Sequence, residues 1–467
     1  MTGRHVAVIG GGLAGLSAAL DLRDAGIAVT LLEGRPWLGG ATSSFTRADL
    51  QVDTGQHVFL RCCTAYRELL ARLGMTGSVA LQDRFDVTVL APGRTARLRR
   101  SGLPAPLHLA AALSRYPLLS PLERVKVGRA VLAMRSARPE AAALDNMPLG
   151  AWLGSRWQPE RVRRRLWDLF IVSTLNIAGD AASAALAAKV IRTALLERND
   201  AADIGVPLIP LGQLHGAAAA AALARLGADV RLGAKVTAIE PAAGGGFTVR
   251  YAGAALHADG VVLAVPAWIA ARLIPAAAAT APRWAALLPS PIVNVHVRYG
   301  QRVTRLPFAA AVDSPVQWVF DKTGNAGGGT RDAAGSPGQY LAVSLSGADA
   351  YIDKPVAALR EQFLPALAEL FPAARDAAVT DFFVTRERRA TFRQAPGCGG
   401  LRPGPATSLP GLVLAGAWTN TGWPDTMEGA VRSGLTAAQQ MKRELPGLTA
   451  GGPARQPRPA VNAGAPS

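Results

Sequence analysis

The sequence predicts an α/β protein in which a parallel β-sheet is interleaved with a second, α+β domain. A short run rich in valine, residues 5–9, leads into a glycine-rich turn and then into helical spacing. This order is typical of a buried parallel strand and its crossover helix. Similar apolar runs return at residues 258–266 and 412–416. Because long segments of different character separate these runs, we expect the sheet to be assembled from distant parts of the chain.

The glycine-rich turn after the first predicted strand is the strongest local signal. Gly10, Gly12 and Gly15 stand in the spacing G-x-G-x-x-G. Gly10 permits a tight turn, Gly12 lets a pyrophosphate approach the backbone, and Gly15 lets the next helix pack closely on the strand. That helix begins with Leu13 and Ala14, and a helix amino terminus favours phosphate. The turn therefore predicts a Rossmann-like unit that binds a dinucleotide.

An acidic residue closes the second predicted strand, residues 27–32. Glu33 stands where a carboxylate can accept hydrogen bonds from both hydroxyls of an adenosine ribose. Strand, turn, helix, strand and acid in this order predict nucleotide binding far more strongly than a glycine spacing alone. The stretch after Glu33 resembles the extended fingerprint of FAD enzymes of the glutathione reductase superfamily, in the amine-oxidase and phytoene-desaturase branch. The resemblance implies FAD as the cofactor, contacted in this stretch by Gly34, Arg35, Gly39, Gly40, Ala41 and Thr42.

A second block typical of this family closes the chain, at residues 416–430. Its Asp425 and Glu428 have the spacing of a capping box, which predicts that they start a helix over residues 426–442. The amino terminus of such a helix carries partial positive charge and can stabilise negative charge on a reduced flavin. The resemblance implies further FAD contacts from Gly55, Gln56, His57, Val236, Gly416, Thr426, Met427 and Glu428.

Length and composition suit two folded domains, since the chain has 467 residues, of which 49% are hydrophobic and 18% charged. We predict a discontinuous FAD-binding domain formed by residues 1–63, 204–266 and 410–444. A substrate domain is predicted from residues 64–203 and 267–409, of which residues 64–199 have mostly helical patterns. Residues 445–467 are rich in Pro, Gly and Ala, and we expect them to be disordered.

The cysteines and the apolar runs indicate the cellular compartment of the protein. Cys62, Cys63 and Cys398 have neither the number nor the spacing of a disulfide framework or a metal site, which suits a reducing compartment without a bound metal. The first predicted strand follows Met1 closely, so we expect no signal peptide. No run reaches the roughly 18 apolar residues of a membrane span. We therefore expect a cytoplasmic protein.

The net charge of +17 comes mostly from arginine, with clusters at residues 97–100 and 161–165. Such charge favours peripheral attachment to an anionic membrane surface, and an ordinary solvated basic surface is the alternative. We do not expect a nucleic-acid partner, because no nucleic-acid motif accompanies the charge. Residues 103–122 are apolar, interrupted by proline and flanked by basic residues. They are either buried core or a segment that dips into a membrane.

Four blocks, residues 53–57, 166–176, 206–214 and 418–434, narrow the resemblance to the hydroxysqualene dehydroxylases, a squalene-associated branch of the same family. This resemblance implies that reduced FAD converts hydroxysqualene, an isoprenoid small molecule, to squalene and water. The alternatives are a carotenoid-type desaturase or an amine oxidase on the same scaffold and, more remotely, a non-enzymatic carrier of prenyl lipids. No second strand–glycine–helix unit for NADPH is visible, so we expect an external electron donor.

The implied reaction needs an acid that assists the departure of water and a dry wall that protects the allylic cation. His57 and Asp53 are the candidate acids, because both follow the second glycine region. A structural hydrogen bond that fixes the loop is the alternative role for His57. The candidate wall residues are aromatic: Trp318, Phe320, Trp418 and Trp423.

Overall fold

The computed structural model of the protein describes residues 4–278, 282–325 and 338–445. All of the predicted disordered tail except Leu445 lies outside the described residues. Within them the chain forms twenty β-strands, numbered here in chain order: β1 (His5–Ile9), β2 (Ala28–Leu32), β3 (Ser44–Arg47), β4 (Leu50–Asp53), β5 (Phe59–Leu60), β6 (Val79–Leu81), β7 (Asp86–Ala91), β8 (Arg94–Arg99), β9 (Ile204–Pro207), β10 (Asp229–Arg231), β11 (Val236–Pro241), β12 (Phe247–Tyr251), β13 (Ala254–Ala258), β14 (Gly260–Leu263), β15 (Pro289–Tyr299), β16 (Phe308–Ala311), β17 (Trp318–Asp321), β18 (Gln339–Ser346), β19 (Val379–Phe392) and β20 (Leu412–Leu414).

Thirteen α-helices lie in the same described residues: α1 (Leu13–Asp24), α2 (Thr64–Arg72), α3 (Ala110–Ser114), α4 (Pro121–Ser136), α5 (Ala142–Asp145), α6 (Leu149–Gly154), α7 (Glu160–Val162), α8 (Asp168–Leu175), α9 (Ala184–Ile191), α10 (Ala218–Arg225), α11 (Ala267–Leu273), α12 (Val356–Leu370) and α13 (Met427–Glu444). The described residues also contain three π-helical segments. Arg163–Trp167 follows α7, Arg192–Leu196 follows α9, and Gly212–Ala217 precedes α10.

A five-stranded parallel sheet forms the centre of the predicted nucleotide-binding region, in the order β10-β2-β1-β14-β20. Its central strands are almost wholly buried, as expected for parallel strands covered on both faces. The apolar runs at residues 258–266 and 412–416 supply β14 and β20. The sheet therefore joins strands from separated parts of the chain, as the sequence predicts, while the domain boundaries themselves stay a prediction.

Helices α1 and α13 pack against each other beside this sheet with almost no side chain between them. A Cβ atom on Gly434 would lie 2.1 Å from the carbonyl oxygen of Ala14. Farther along α13, Met441 lies against Gly260 in β14, while Ser433 accepts a hydrogen bond from the amide of Gly416 just beyond β20. The amino-terminal halves of both helices therefore lie at the carboxyl edge of the sheet.

A seven-stranded sheet lies in the predicted substrate region, in the order β19-β15-β18-β17-β16-β7-β8, and only its β16–β7 pair is parallel. Residues 64–199 are mostly helical, as predicted, but strands β6, β7 and β8 interrupt them, and these strands were not predicted. In β8 the buried Ala96 and Leu98 alternate with exposed arginines. This alternation is a strand pattern, but the arginines made it resemble a charge cluster.

Both arginine clusters make local ion pairs. Arg97 and Arg99 pair with Asp86, and Arg100 pairs with the buried Asp203. The second cluster makes four pairs: Arg161 with Glu123, Arg163 with Asp180, Arg164 with Glu160, and Arg165 with Asp313. These clusters therefore do not form the free basic patches that the sequence suggests.

The apolar segment 103–122 is divided between core and surface. Tyr116, Leu118 and Leu119 are buried, whereas Leu103 and Leu107 are exposed. The buried-core interpretation therefore holds for Tyr116, Leu118 and Leu119, whereas Leu122 at the end of the segment is exposed. Among the described residues, no helix combines the length and the hydropathy needed to cross a membrane.

Candidate active site

The turn between β1 and α1 requires glycine at two positions. Gly10 has a φ of 106°, and a Cβ on Gly15 would lie 1.9 Å from the carbonyl oxygen of Gly10. Helix α1 starts after Gly12, where no side chain caps the first turn. The amides of that turn are therefore available to an anionic group such as a diphosphate.

Glu33 at the end of β2 is held by two backbone amides beside this turn. Its Oε2 accepts a hydrogen bond of 2.6 Å from the amide of Gly11, and its Oε1 accepts one of 2.8 Å from the amide of Arg35. Each oxygen of an ionised carboxylate keeps further acceptor capacity for ribose hydroxyls. The amide of Ala234 donates to the Glu33 carbonyl at 2.8 Å, which brings Val236 into this neighbourhood.

The second glycine pair approaches the first turn closely. Gly39 and Gly40 have φ values of 108° and 58°, and a Cβ on Gly40 would lie 2.9 Å from the Cα of Gly12. Arg35 donates to the Gly40 carbonyl at 3.2 Å, and Thr42 donates to the Gly39 carbonyl at 2.8 Å. The two glycine segments thus form one surface without side chains.

The start of α13 differs from the predicted capping box. Thr426 is the N-cap, and its hydroxyl accepts a hydrogen bond of 3.2 Å from the amide of Gly429. The carboxylate of Asp425 instead accepts one of 2.9 Å from the amide of Phe392 in β19. The prediction was wrong because Asp425-x-x-Glu428 spacing does not reveal that both carboxylates have partners far away in the chain.

Glu428 is fully buried and caps a different helix. Its carboxylate accepts hydrogen bonds from the amides of Ala65 and Tyr66, at 3.2 and 2.8 Å, in the first turn of α2, and pairs with Arg432 at 2.7 Å. A carboxylate at a helix amino terminus stabilises both the helix and the charge. Because the Glu428 side chain caps α2, its predicted contact with the cofactor would have to be made by its backbone, and this contact stays a prediction.

A cavity of about 420 Å³ lies between the loop after β4, the loop after β9, the start of β16 and the end of β17. Its wall is largely apolar, and its larger apolar members include Val58, Leu81, Val206, Leu208, Leu211, Phe308 and Phe320. Phe320 therefore lines the cavity, and its contact with substrate stays a prediction. The size and the lining suit a small-molecule site.

The three predicted tryptophans do not line this cavity. Trp318 stacks behind Phe320, with ring centroids 6.3 Å apart. Trp418 packs on Trp284 and donates from Nε1 to the Val265 carbonyl at 2.9 Å. Trp423 is half-buried between the cationic groups of Lys189 and Arg432. The substrate contacts predicted for Trp418 and Trp423 stay predictions, because aromatic character alone does not reveal which surface a ring faces.

Asp53 is buried at the cavity and acts as an acceptor. Its Oδ1 accepts hydrogen bonds from the Ser44 hydroxyl at 2.7 Å and the Leu211 amide at 2.9 Å, and its Oδ2 lies 2.9 Å from Nζ of Lys322. An ionised carboxylate has this acceptor-only role. The geometry therefore argues against Asp53 as the proton donor.

His57 also lines the cavity. Its Nδ1 lies 3.1 Å from the carbonyl of Gly55, which makes Nδ1 the protonated nitrogen. Burial lowers the pKa of His57, so the ring is neutral near pH 7. A neutral ring is a poor acid, and the loop-fixing alternative fits this geometry better. The neighbouring Gln56 has a buried Nε2 that lacks a hydrogen-bond partner among the described residues.

Lys322 is the site residue that the sequence analysis missed. It follows β17, its side chain is 9% exposed, and it lines the cavity while paired with Asp53. In the sequence it is a lone lysine after Phe320 and Asp321, which is indistinguishable from a solvated residue at the end of a strand. Only the burial of an unexpected charge would have revealed it, and burial depends on the fold.

Comparison with known proteins identifies the family. A family model described as flavin-containing amine oxidoreductase matches residues 13–442. The chain belongs to the flavin-containing amine oxidoreductases. The match confirms the predicted enzyme class, an FAD-dependent oxidoreductase, and FAD as its cofactor.

Individual relatives of this chain agree with the family. The chain is 30% identical to a hydroxysqualene dehydroxylase of Rhodopseudomonas palustris, over 93% of this chain and 97% of that protein. A probable zeta-carotene desaturase of Synechococcus elongatus is 27% identical, over 94% of this chain and 98% of that protein. The structure of a putrescine oxidase bound to putrescine has a TM-score of 0.70 at 20% identity, covering 94% of this chain and 99% of that one. This last likeness confirms the predicted fold.

The residues around the two glycine segments fit FAD. A Cβ on Gly12 would meet only the Cα of Gly40, at 3.9 Å, so the surface over both glycines is open to a diphosphate. The uncapped first turn of α1 adds amide donors, and Glu33 adds an acceptor at the ribose position. These residues would hold the nucleotide half of the cofactor. The individual contacts stay predictions.

Proposed function

We propose that this flavoprotein removes the hydroxyl of hydroxysqualene reductively, giving squalene and water. The observation that carries the proposal is the chemistry of the cavity. An apolar wall surrounds a buried ion pair, Lys322 with Asp53, and the unpaired amide of Gln56. A hydrocarbon offers no partner to such groups, and leaving them unmatched weakens its binding. An isoprenoid alcohol matches both the wall and the polar groups.

The named relatives support the same substrate class. Hydroxysqualene dehydroxylases from three organisms match at 26–30% identity over 92–93% of this chain. Carotenoid desaturases match at 25–27%, so sequence similarity alone supports an FAD oxidoreductase acting on isoprenoids. The polar groups of the cavity are what favour the alcohol over a hydrocarbon.

The chemistry divides between cofactor and chain. Reduced FAD, when bound, supplies the two electrons and the hydrogen that replace the hydroxyl. The apolar wall around Phe308 and Phe320 excludes water, which would otherwise capture the allylic cation. The C–O bond breaks with both electrons on oxygen, which takes a proton and leaves as water. We expect an external electron donor to reduce the flavin again.

The direction of electron flow separates this proposal from a desaturase. We expect the oxidised protein to keep its flavin absorbance when mixed anaerobically with squalene or phytoene, because the proposed reaction passes electrons from reduced flavin to the substrate and takes none from a hydrocarbon. We expect the reduced protein to regain that absorbance when mixed with hydroxysqualene. Stopped-flow absorbance near the flavin maximum measures the loss and the recovery of the oxidised flavin. Bleaching of the oxidised protein by phytoene would favour the desaturase instead.

We also propose that the protein attaches to an anionic lipid bilayer through the outer face of α4. Leu122, Val125 and Leu132 are 65%, 63% and 60% exposed and lie at helical spacing on one face, whereas Val127, Ala130 and Met134 on the other face are buried. Outer helix faces of globular proteins are normally polar. An exposed apolar stripe of this kind marks a binding surface.

Basic and aromatic neighbours of this stripe suit a bilayer. Trp157 is 66% exposed, and the guanidinium of Arg129, on the same face of α4, lies 5.7 Å from its ring centroid. Tryptophan and arginine are favoured at the headgroup level, where one part of the side chain is apolar and the other wet. Anionic headgroups complement the net charge of +17.

Replacing Leu122, Val125 and Leu132 together by glutamine should weaken binding to anionic liposomes by at least about tenfold, because three apolar side chains no longer enter the interface. Sedimentation with liposomes of defined composition measures it, and Val356→Gln, an exposed apolar residue on α12, is the matched control. Unchanged liposome binding of the triple variant would contradict the proposal that this face of α4 enters the bilayer. If salt releases the triple variant and the wild type equally, attachment depends on charge only.

A further inference from the structure

Lys322 and Asp53 form a fixed ion pair at the wall of the cavity. The Nζ–Oδ2 distance is 2.9 Å, and the Lys322 and Asp53 side chains are 9% and 1% exposed. Ser44 and the amide of Leu211 hold the other carboxylate oxygen, at 2.7 and 2.9 Å. The carboxylate cannot turn away, and the ammonium is therefore anchored in one position.

Stability does not account for this pair. Removing two charges from water costs several kcal/mol per ion, and well-packed apolar residues often replace a buried pair without loss. Here the surrounding wall is already apolar, with Phe308 and Phe320 on the strands beside it. A charged pair in such a place is typical of a functional site.

The ammonium retains donors that can reach a ligand. Lys322 has three N–H donors, and among the described residues its one recorded ion-pair partner is Asp53. Other polar groups of the wall are less suited to donate a proton to a ligand. Gln56 is a neutral amide, Nδ1–H of His57 points to the Gly55 carbonyl, and Asp321 accepts from Thr323 and Gln339. Among the described lining residues, Lys322 is the one lysine or arginine.

We propose that Lys322 is the catalytic acid that protonates the departing hydroxyl, with Asp53 as its positioning residue. This inference rests on the proposed function. In the step, the Nζ–H bond breaks as a new O–H bond forms, and the C–O bond breaks with both its electrons passing to oxygen. The carbon receives the hydrogen and two electrons that the reduced cofactor supplies, and the neutral amine regains a proton from solvent.

The first test is binding to the oxidised protein, which needs no turnover. Hydroxysqualene and squalene form a matched pair that differs by the hydroxyl. The wild type should bind hydroxysqualene more tightly by about 10- to 100-fold, the range expected for a hydrogen bond to a charged group. In the double variant Lys322→Met with Asp53→Asn, which leaves no buried charge unpaired, that preference should fall by about tenfold, and squalene affinity should not decrease.

The second test separates proton donation from charge. In Lys322→Arg the ion pair persists, but a guanidinium does not give up its proton in proteins. The hydroxysqualene preference should therefore persist, while the rate of flavin reoxidation by hydroxysqualene falls by about 10²- to 10⁴-fold. Lys354→Met, an exposed lysine on the surface, is the matched control and should leave both readouts unchanged.

The outcomes distinguish this role from the reaction itself. If the wild type forms squalene and Lys322→Arg does so at the same rate, the acid role is overturned and the reaction stands. If the double variant keeps the full hydroxysqualene preference, Lys322 does not contact the hydroxyl and the role is again overturned. If the wild type forms no squalene, the proposed function and the acid role fall together.

Discussion

The variant Gly15→Ala should contain no FAD. The new Cβ would lie 1.9 Å from the carbonyl oxygen of Gly10, far inside van der Waals contact, and both atoms belong to rigid parts of the β1–α1 turn. Relief requires α1 to move away from β1, which also displaces its first-turn amides from the diphosphate position. The flavin absorbance of the purified variant, relative to its protein absorbance, measures the loss.

Gly128→Ala is the control for this experiment. Gly128 is also a helical glycine, but a Cβ there would meet no heavy atom within 4 Å. Alanine in α4 should raise stability by about 0.5–1 kcal/mol, the usual difference in helix propensity, and leave FAD at the wild-type level. A Gly15→Ala protein that retains FAD in equimolar amount would contradict our assignment of this turn.

The nucleotide half of the site could be predicted because its determinants are local. Gly10, Gly15 and Glu33 act through backbone geometry and one strand end, and the order of the residues carries the information. The structure places all three where the spacing predicts, with Glu33 bonded to the amide of Gly11. Local signals of this kind can be recognised in the sequence without knowledge of the rest of the fold.

The substrate half could not be predicted because its determinants are distant in the chain. Lys322 becomes a site residue only through Asp53, and Glu428 becomes the cap of α2 only through the packing of α13. The β7–β8 hairpin was missed for a related reason, since the arginines of β8 conceal the alternation that its buried Ala96 reveals. Sequence spacing records none of these long-range pairings.

The buried ion pair also bears on how one scaffold serves different reactions. A desaturase and a dehydroxylase can use the same FAD site, so the difference has to lie in what the cavity offers the substrate. In this chain the cavity offers a cation and an amide within an apolar wall. A hydrocarbon can contact only the apolar wall, whereas an allylic alcohol can contact the wall and form hydrogen bonds with the cation and the amide.

The product of a single anaerobic turnover shows whether the reduced protein converts hydroxysqualene to squalene. Protein reduced with a limiting amount of dithionite is mixed with hydroxysqualene without oxygen, and the extracted isoprenoids are quantified by mass spectrometry. We expect squalene in an amount equimolar with the reduced FAD, because each turnover consumes the electron pair of one cofactor. Oxidised protein under the same conditions should give none. Recovery of all the hydroxysqualene unchanged from fully reduced, folded protein would contradict the proposed function.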